Sequence, residues 1–171
     1  MGYRKDDKVV NMMTATVSDD GNTVTSKGTD TGASNGATVT YETQQTRVGT
    51  APANAHLYSG EWRNAAGATL SNAALTMTMR QTGDMLTMKF GTGEGIAARF
   101  GGPAVPVTGD APGTTAKVVR SGPSSFTTTT MRGGKIILVE TTAIAPDERT
   151  LTYTSDNRQN GSTARYTATK Q

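Results

Sequence analysis

Hydrophobic and polar positions along the chain alternate far more often than they recur at helical spacing. Leu75, Met77 and Met79 alternate with Thr76, Thr78 and Arg80, and Leu86, Met88 and Phe90 alternate with Thr87 and Lys89. A period of two places each set on one face of a strand. Gln81-Thr82-Gly83-Asp84 between them has the residues of a turn, so the segment predicts a hairpin with one apolar and one polar face. Ile96, Ala98 and Phe100 continue the alternation, and a Pro/Gly-rich stretch over 101–113 interrupts it. It resumes over 116–120, 126–131, 136–144, 150–154 and 163–168. From Gly60 onward, about ten short strands separated by turn signals predict an all-β chain folded as an antiparallel meander β-barrel, or as a sandwich.

A second pattern is an internal repeat. Lys8-Val9-Val10 aligns with Lys135-Ile136-Ile137, and the alignment runs without a gap through Thr14 with Thr141, Asp20 with Asp147 and Thr25 with Thr152. After a two-residue slip, Asn35-Gly36 meets Asn160-Gly161 and Tyr41 meets Tyr166. One three-strand unit is thus used twice. Only seven residues precede Lys8, so the first copy lacks what stands before the unit in the second. The expected organisation is a partial repeat of three strands over 1–47, a linker over 48–58 and a barrel over 59–171. Three strands with few large apolar residues bury too little to stand alone, so residues 8–43 are expected to pair with a second copy of the chain, as a homodimer formed by edge pairing or strand exchange.

Composition sharpens this picture without naming a function. The 171 residues include 32 Thr against 24 Leu, Ile, Val and Phe together, a thin apolar supply that by itself hints at disorder. A net charge of only +3 argues the other way, and Thr is β-branched and suited to a half-solvated sheet. Its 17 basic and 14 acidic residues are scattered, which gives no footprint for nucleic acid. With no Cys and a single His, His56, disulfides, thiolate sites and multi-His metal or haem sites within one chain are excluded. No metal and no cofactor are therefore expected. No apolar run reaches membrane-spanning length, and the first residues lack the apolar stretch of a signal peptide. The expectation is a soluble chain, either mature or cytosolic.

Ser59-Gly60-Glu61-Trp62-Arg63, a Gly-x-Trp opening the first strand of a long antiparallel run, resembles the lipocalin and fatty-acid-binding-protein class of barrels. Together with Pro106-Val107-Thr108-Gly109-Asp110, Gly134-Lys135 and the terminal Tyr166-Thr167-Ala168-Thr169-Lys170-Gln171, it resembles bacterial lipocalin-like proteins of unassigned function, often arranged as tandem copies. The resemblance implies a barrel that holds an apolar small molecule, a periplasmic or secreted location and no established reaction. It also implies that Trp62 plugs one barrel end and packs against a basic side chain of the last strand, where Arg165 is the candidate by position. Ala164, Tyr166 and Ala168 form the apolar face of that strand, which turns Arg165 outward unless a bulge intervenes. Trp62 as simply the largest core residue is the plainer, compatible reading.

The leading function is binding of an apolar or amphipathic small molecule without catalysis. Its candidate site is Trp62, Leu75, Met77, Met79, Leu86, Met88 and Phe90, with Tyr153 and Tyr166 supplying hydroxyls from the inward parity of their strands. An ordinary filled core is the competing reading. The alternative is a metal-independent barrel enzyme, a hydrolase or isomerase, using Glu140 with Tyr153 or Tyr166. Glu140 shares the parity of Leu138 and Ile144, where burial would raise its pKa, unless a bulge or edge turns it to solvent. A third class is a structural module assembling by strand exchange. Gly91-Thr92-Gly93-Glu94-Gly95 reads as a hairpin tip, since no helix follows to make a phosphate cradle. Asp19-Asp20-Gly21-Asn22 reads as a turn, lacking the ligand spacing of a calcium loop, and His56 lies in the linker, away from any rigid triad.

Overall fold

Alternation becomes strand almost everywhere it occurs. The computed structural model describes residues 2–5, 8–65 and 67–171, and among them are fifteen strands and one short helical turn. The fold is all-β, with antiparallel sheets. Two compact units are present, Met1–Thr76 with Phe90–Gly93 and Met77–Lys89 with Glu94–Gln171.

The first unit is a six-stranded sheet. Its strands are β1 (Gly2–Lys5), β2 (Lys8–Val17), β3 (Thr23–Asp30), β4 (Val39–Val48), β5 (Glu61–Asn64) and β6 (Thr69–Leu70), in the order β1-β2-β3-β4-β5 with β6 also on β4. Residues 8–43 therefore do not stand as three isolated strands: β1 covers one edge, and β5 and β6 share the other. Gln45–Val48 pairs with Asn64–Glu61, and Tyr41–Glu42 pairs with Leu70–Thr69. This pairing draws residues 59–76 into the first unit, whereas the sequence places the boundary at 59. Leu75 lies outside the expected strand. Ser71-Asn72-Ala73-Ala74 starts a four-residue helical turn, α1 (Asn72–Leu75), because Ala favours helix and the Thr76 amide and hydroxyl both donate back to the Asn72 carbonyl.

In the second unit β7 (Met77–Thr82), β8 (Met85–Phe90) and β9 (Gly95–Arg99) form one sheet, and the 77–90 hairpin is where the alternation places it. The other sheet runs in chain order through β10 (Val105–Pro106), β11 (Thr114–Gly122), β12 (Ser125–Arg132), β13 (Lys135–Ile144), β14 (Thr150–Asn157) and β15 (Thr163–Thr169). Bridges Gly95↔Thr108 and Phe100↔Val118 connect the two sheets. Leu86 and Met88 pair with Ala98 and Ile96, and with Ala116, Val118 and Phe126 they form a filled core. The pairing among the described residues makes a meander from β7 to β15 without a closing pair between these two strands.

The first hairpins of the two aligned segments have the same lengths and register. β2 and β13 each have ten residues, β3 and β14 eight, and Thr14 faces Lys27 as Thr141 faces Thr154. Their turns are closed alike: Asp20 accepts the Asn22 amide, and Asp147 accepts those of Arg149 and Thr150. The third strands are displaced by two residues from the sequence alignment. Tyr41 faces Gly28, whereas Tyr166 faces Tyr153. A shift of two keeps side-chain parity, so the hydrophobic pattern does not resist it.

Candidate functional site

Two features of the first unit follow from where glycine is placed. Tyr41 lies across Gly28 of the neighbouring strand, at a position where any Cβ would collide with its ring. The ring is held there by its hydroxyl, which donates to Asn11 Oδ1 at 3.2 Å, while Asn11 Nδ2 donates to Asp30 Oδ2 at 3.2 Å. Gly60, at φ 128°, lets Arg47 pass: a Cβ there would press on the guanidinium. Arg47 donates through Nε to the Gly21 carbonyl and through its two terminal nitrogens to the Ser59 and Leu57 carbonyls. Its guanidinium carbon Cζ lies 4.1 Å from the Trp62 ring centroid, and the indole N–H donates to the Tyr58 carbonyl. The loop over 49–60 is thereby clasped to the sheet. Trp62 meets Arg47 and not Arg165, because β5 pairs with β4; Arg165 is exposed opposite Thr154.

An open cleft of about 1090 Å³ is formed by β1 to β4 and β6. Its apolar lining includes Val9 and Met12, which are 47% and 65% exposed. Lys27 and Glu42 line it too; they face each other across β3 and β4 and form an ion pair at 3.1 Å, whereas Tyr41 and Leu70, paired one residue along, turn their side chains to the other face of the sheet. Strict alternation does not reveal this cleft. The signal was the pair of doublets Val9-Val10 and Met12-Met13, which make β2 apolar on both faces and leave one face without a core to enter.

The residues of the candidate site predicted from the sequence are divided between the two units. Trp62, Leu75 and Phe90 belong to the first unit, and the other six residues to the second. Leu86 and Met88 are fully buried core, Met77, Met79 and Phe90 are half-buried, and Leu75 and Tyr166 are 63% and 59% exposed. Tyr166 is exposed because β15 is the last strand of its sheet.

Glu140 and Tyr153 do meet. Glu140 lies on the parity of buried Thr142, opposite buried Thr128, and accepts a hydrogen bond from the Tyr153 hydroxyl. Burial raises its pKa above the ordinary carboxylate value, and that hydrogen bond partly offsets the rise. The Tyr153 phenol is pushed well above its usual range, first by burial and then by the charge of Glu140. The Tyr166 ring is 6.5 Å from that of Tyr153. Together they make a carboxyl of raised pKa beside a phenol whose own pKa is raised.

The remaining motifs have structural partners. Asn35 Nδ2 and Ser34 Oγ donate to the carbonyls of Gly91 and Thr92, so the glycine-rich tip is a tethered turn. His56 Nδ1 accepts the Tyr58 amide within its loop. Among the described residues no three of His, Cys, Asp and Glu stand close enough to hold a metal ion, and no helix is long and apolar enough to cross a membrane. Compared with family models, curated proteins and solved structures, the chain matches none.

Proposed function

We propose that the chain binds an amphipathic small molecule in the cleft of its amino-terminal sheet, without catalysis. The observation that carries this reading is a concavity of about 1090 Å³ lined by exposed Val9 and Met12 beside the Lys27–Glu42 pair. Its size suits a small ligand, and clustered exposed apolar side chains are what a free binding surface presents. An apolar body would cover Val9 and Met12, and a polar group would exchange for one partner of the ion pair. The resemblance to lipocalin-like barrels supports the same class of ligand. The meander from β7 to β15 supports that fold too, as an open relative of such a barrel.

Anilinonaphthalene sulfonate, an apolar body with an anionic group, tests the proposal by fluorescence titration. Saturable micromolar binding is expected, lost in Met12→Glu and in Val9→Glu. Both residues are exposed, so these variants retain the wild-type melting curve. Binding that survives both changes places the ligand elsewhere.

A second reading, acid–base chemistry by Glu140, is favoured by its burial and its hydrogen bond with Tyr153. Turnover of a hydrolase or isomerase substrate that Glu140→Gln abolishes would establish it.

A further inference from the structure

We infer that the outer edge of β15 is a docking site for an extended strand that opens Gly-x-Trp, with the indole beneath Lys170. The inference starts from a positional equivalence. The Arg47 amide donates to the Asn22 carbonyl, and the Lys170 amide donates to the Arg149 carbonyl. Asn22 and Arg149 occupy the same place in their turns, each giving its own amide to the preceding Asp20 or Asp147. Thr46 faces Thr23 and Thr169 faces Thr150, and Thr23 and Thr150 are the first residues of their strands. Arg47 and Lys170 are therefore counterparts, as are Thr46 and Thr169.

In the first unit the chain itself shows what covers this edge. Glu61–Asn64 pairs with Gln45–Val48, Trp62 faces Arg47, and the guanidinium lies over the indole. The corresponding stretch is Ala168–Gln171, the last two residues of β15 and the two that follow it; it is exposed, and β15 ends the strand order. Because the Lys170 amide points to β14, alternation turns the Thr169 N–H and C=O outward. Such groups form a template for one more strand. The occupant we assign is an unpaired segment of the Ser59–Arg63 type. Lys170 supplies a point charge over the ring where Arg47 supplies a planar fork with three backbone bonds, so the site is the weaker of the two.

A dye-labelled peptide of residues 58–65, titrated into the full chain and followed by anisotropy, tests this. Saturable one-to-one binding is expected. It weakens at least tenfold when the peptide carries Trp62→Ala, and at least tenfold when the chain carries Thr169→Pro. Proline at 169 removes only an outward N–H and leaves the amides that point to β14 in place. Lys170→Glu, which leaves the backbone untouched, is expected to weaken binding severalfold. Absence of saturable binding overturns the inference. So does binding unchanged by both Thr169→Pro and Lys170→Glu, which would show the peptide displacing β5 from β4.

Discussion

Arg47 does at one residue what a short linker cannot do by composition. Three carbonyls and an indole face converge on its guanidinium, and each hydrogen bond to a charged group carries more than a neutral one. Arg47→Ala is expected to cost about 2 kcal/mol, and a double-mutant cycle with Trp62→Ala to show coupling of about 0.5–1 kcal/mol in chemical denaturation. No measurable coupling would mean that the stacked geometry adds nothing. Glu140 acts in the opposite sense. Its folded-state pKa is raised, so its contribution is fully present below the unfolded value and lost as pH rises through the folded one. Glu140→Gln keeps an acceptor for Tyr153 and removes the buried charge. The variant should be more stable than wild type at pH 7, by a margin that shrinks towards pH 4, as thermal melts across that range would show. Asp20 and Asp147 have lowered pKa values, Asp20 chiefly from the Ser18 hydroxyl and Asp147 from backbone amides. What they contribute is present above the unfolded carboxylate pKa and lost as pH falls through the folded one.

At the level of elements, strands were legible where alternation was strict and turns were marked by Gly and Asp, as in the 77–90 hairpin and the paired turns at Asp20 and Asp147. Leu75 was misplaced because period two cannot see a helical turn four residues long, for which Ser71-Asn72-Ala73-Ala74 was the local signal. The partner of Trp62 was misplaced for a different reason. Sequence fixes which residues can face each other within a hairpin, but β5 pairs with β4 across the loop over 49–60, and period-two alternation does not name a partner across such a loop. Met88 illustrates the consequence for the predicted site. Alternation is equally compatible with a cavity wall and with an ordinary core position, and Met88 is 2% exposed and paired with Ile96. A buried carboxylate without a partner is costly, so Met88→Glu should destabilise the second unit by about 4 kcal/mol or more, seen as loss of cooperative unfolding. Met79→Glu, at a half-buried position, should cost less than half as much. Equal costs would contradict the assignment of Met88 to the core.

For the whole molecule, the two units differ in what they bury. Among the described residues the first has Val24 and Ser26 as its buried pair, while the second buries Leu86, Met88, Ile96, Ala98, Ala116, Val118 and Phe126 with three threonines. Apolar burial is the main favourable term in folding, so stability should be uneven along the chain. The full chain is expected to unfold in two steps, the lower belonging to the amino-terminal sheet, with amides of β2 to β4 exchanging faster than those of β11 to β13. Binding in the cleft should act on the lower step alone. A ligand present at a hundred times its dissociation constant adds about 2.7 kcal/mol to the state that binds it. Anilinonaphthalene sulfonate at that excess should therefore raise the first transition by several degrees and leave the second in place, and Met12→Glu should remove the shift. Calorimetry with hydrogen exchange resolves both statements. One coincident transition, moved as a whole by the probe, would show that the thin core of the first sheet is stabilised by something other than its own side chains.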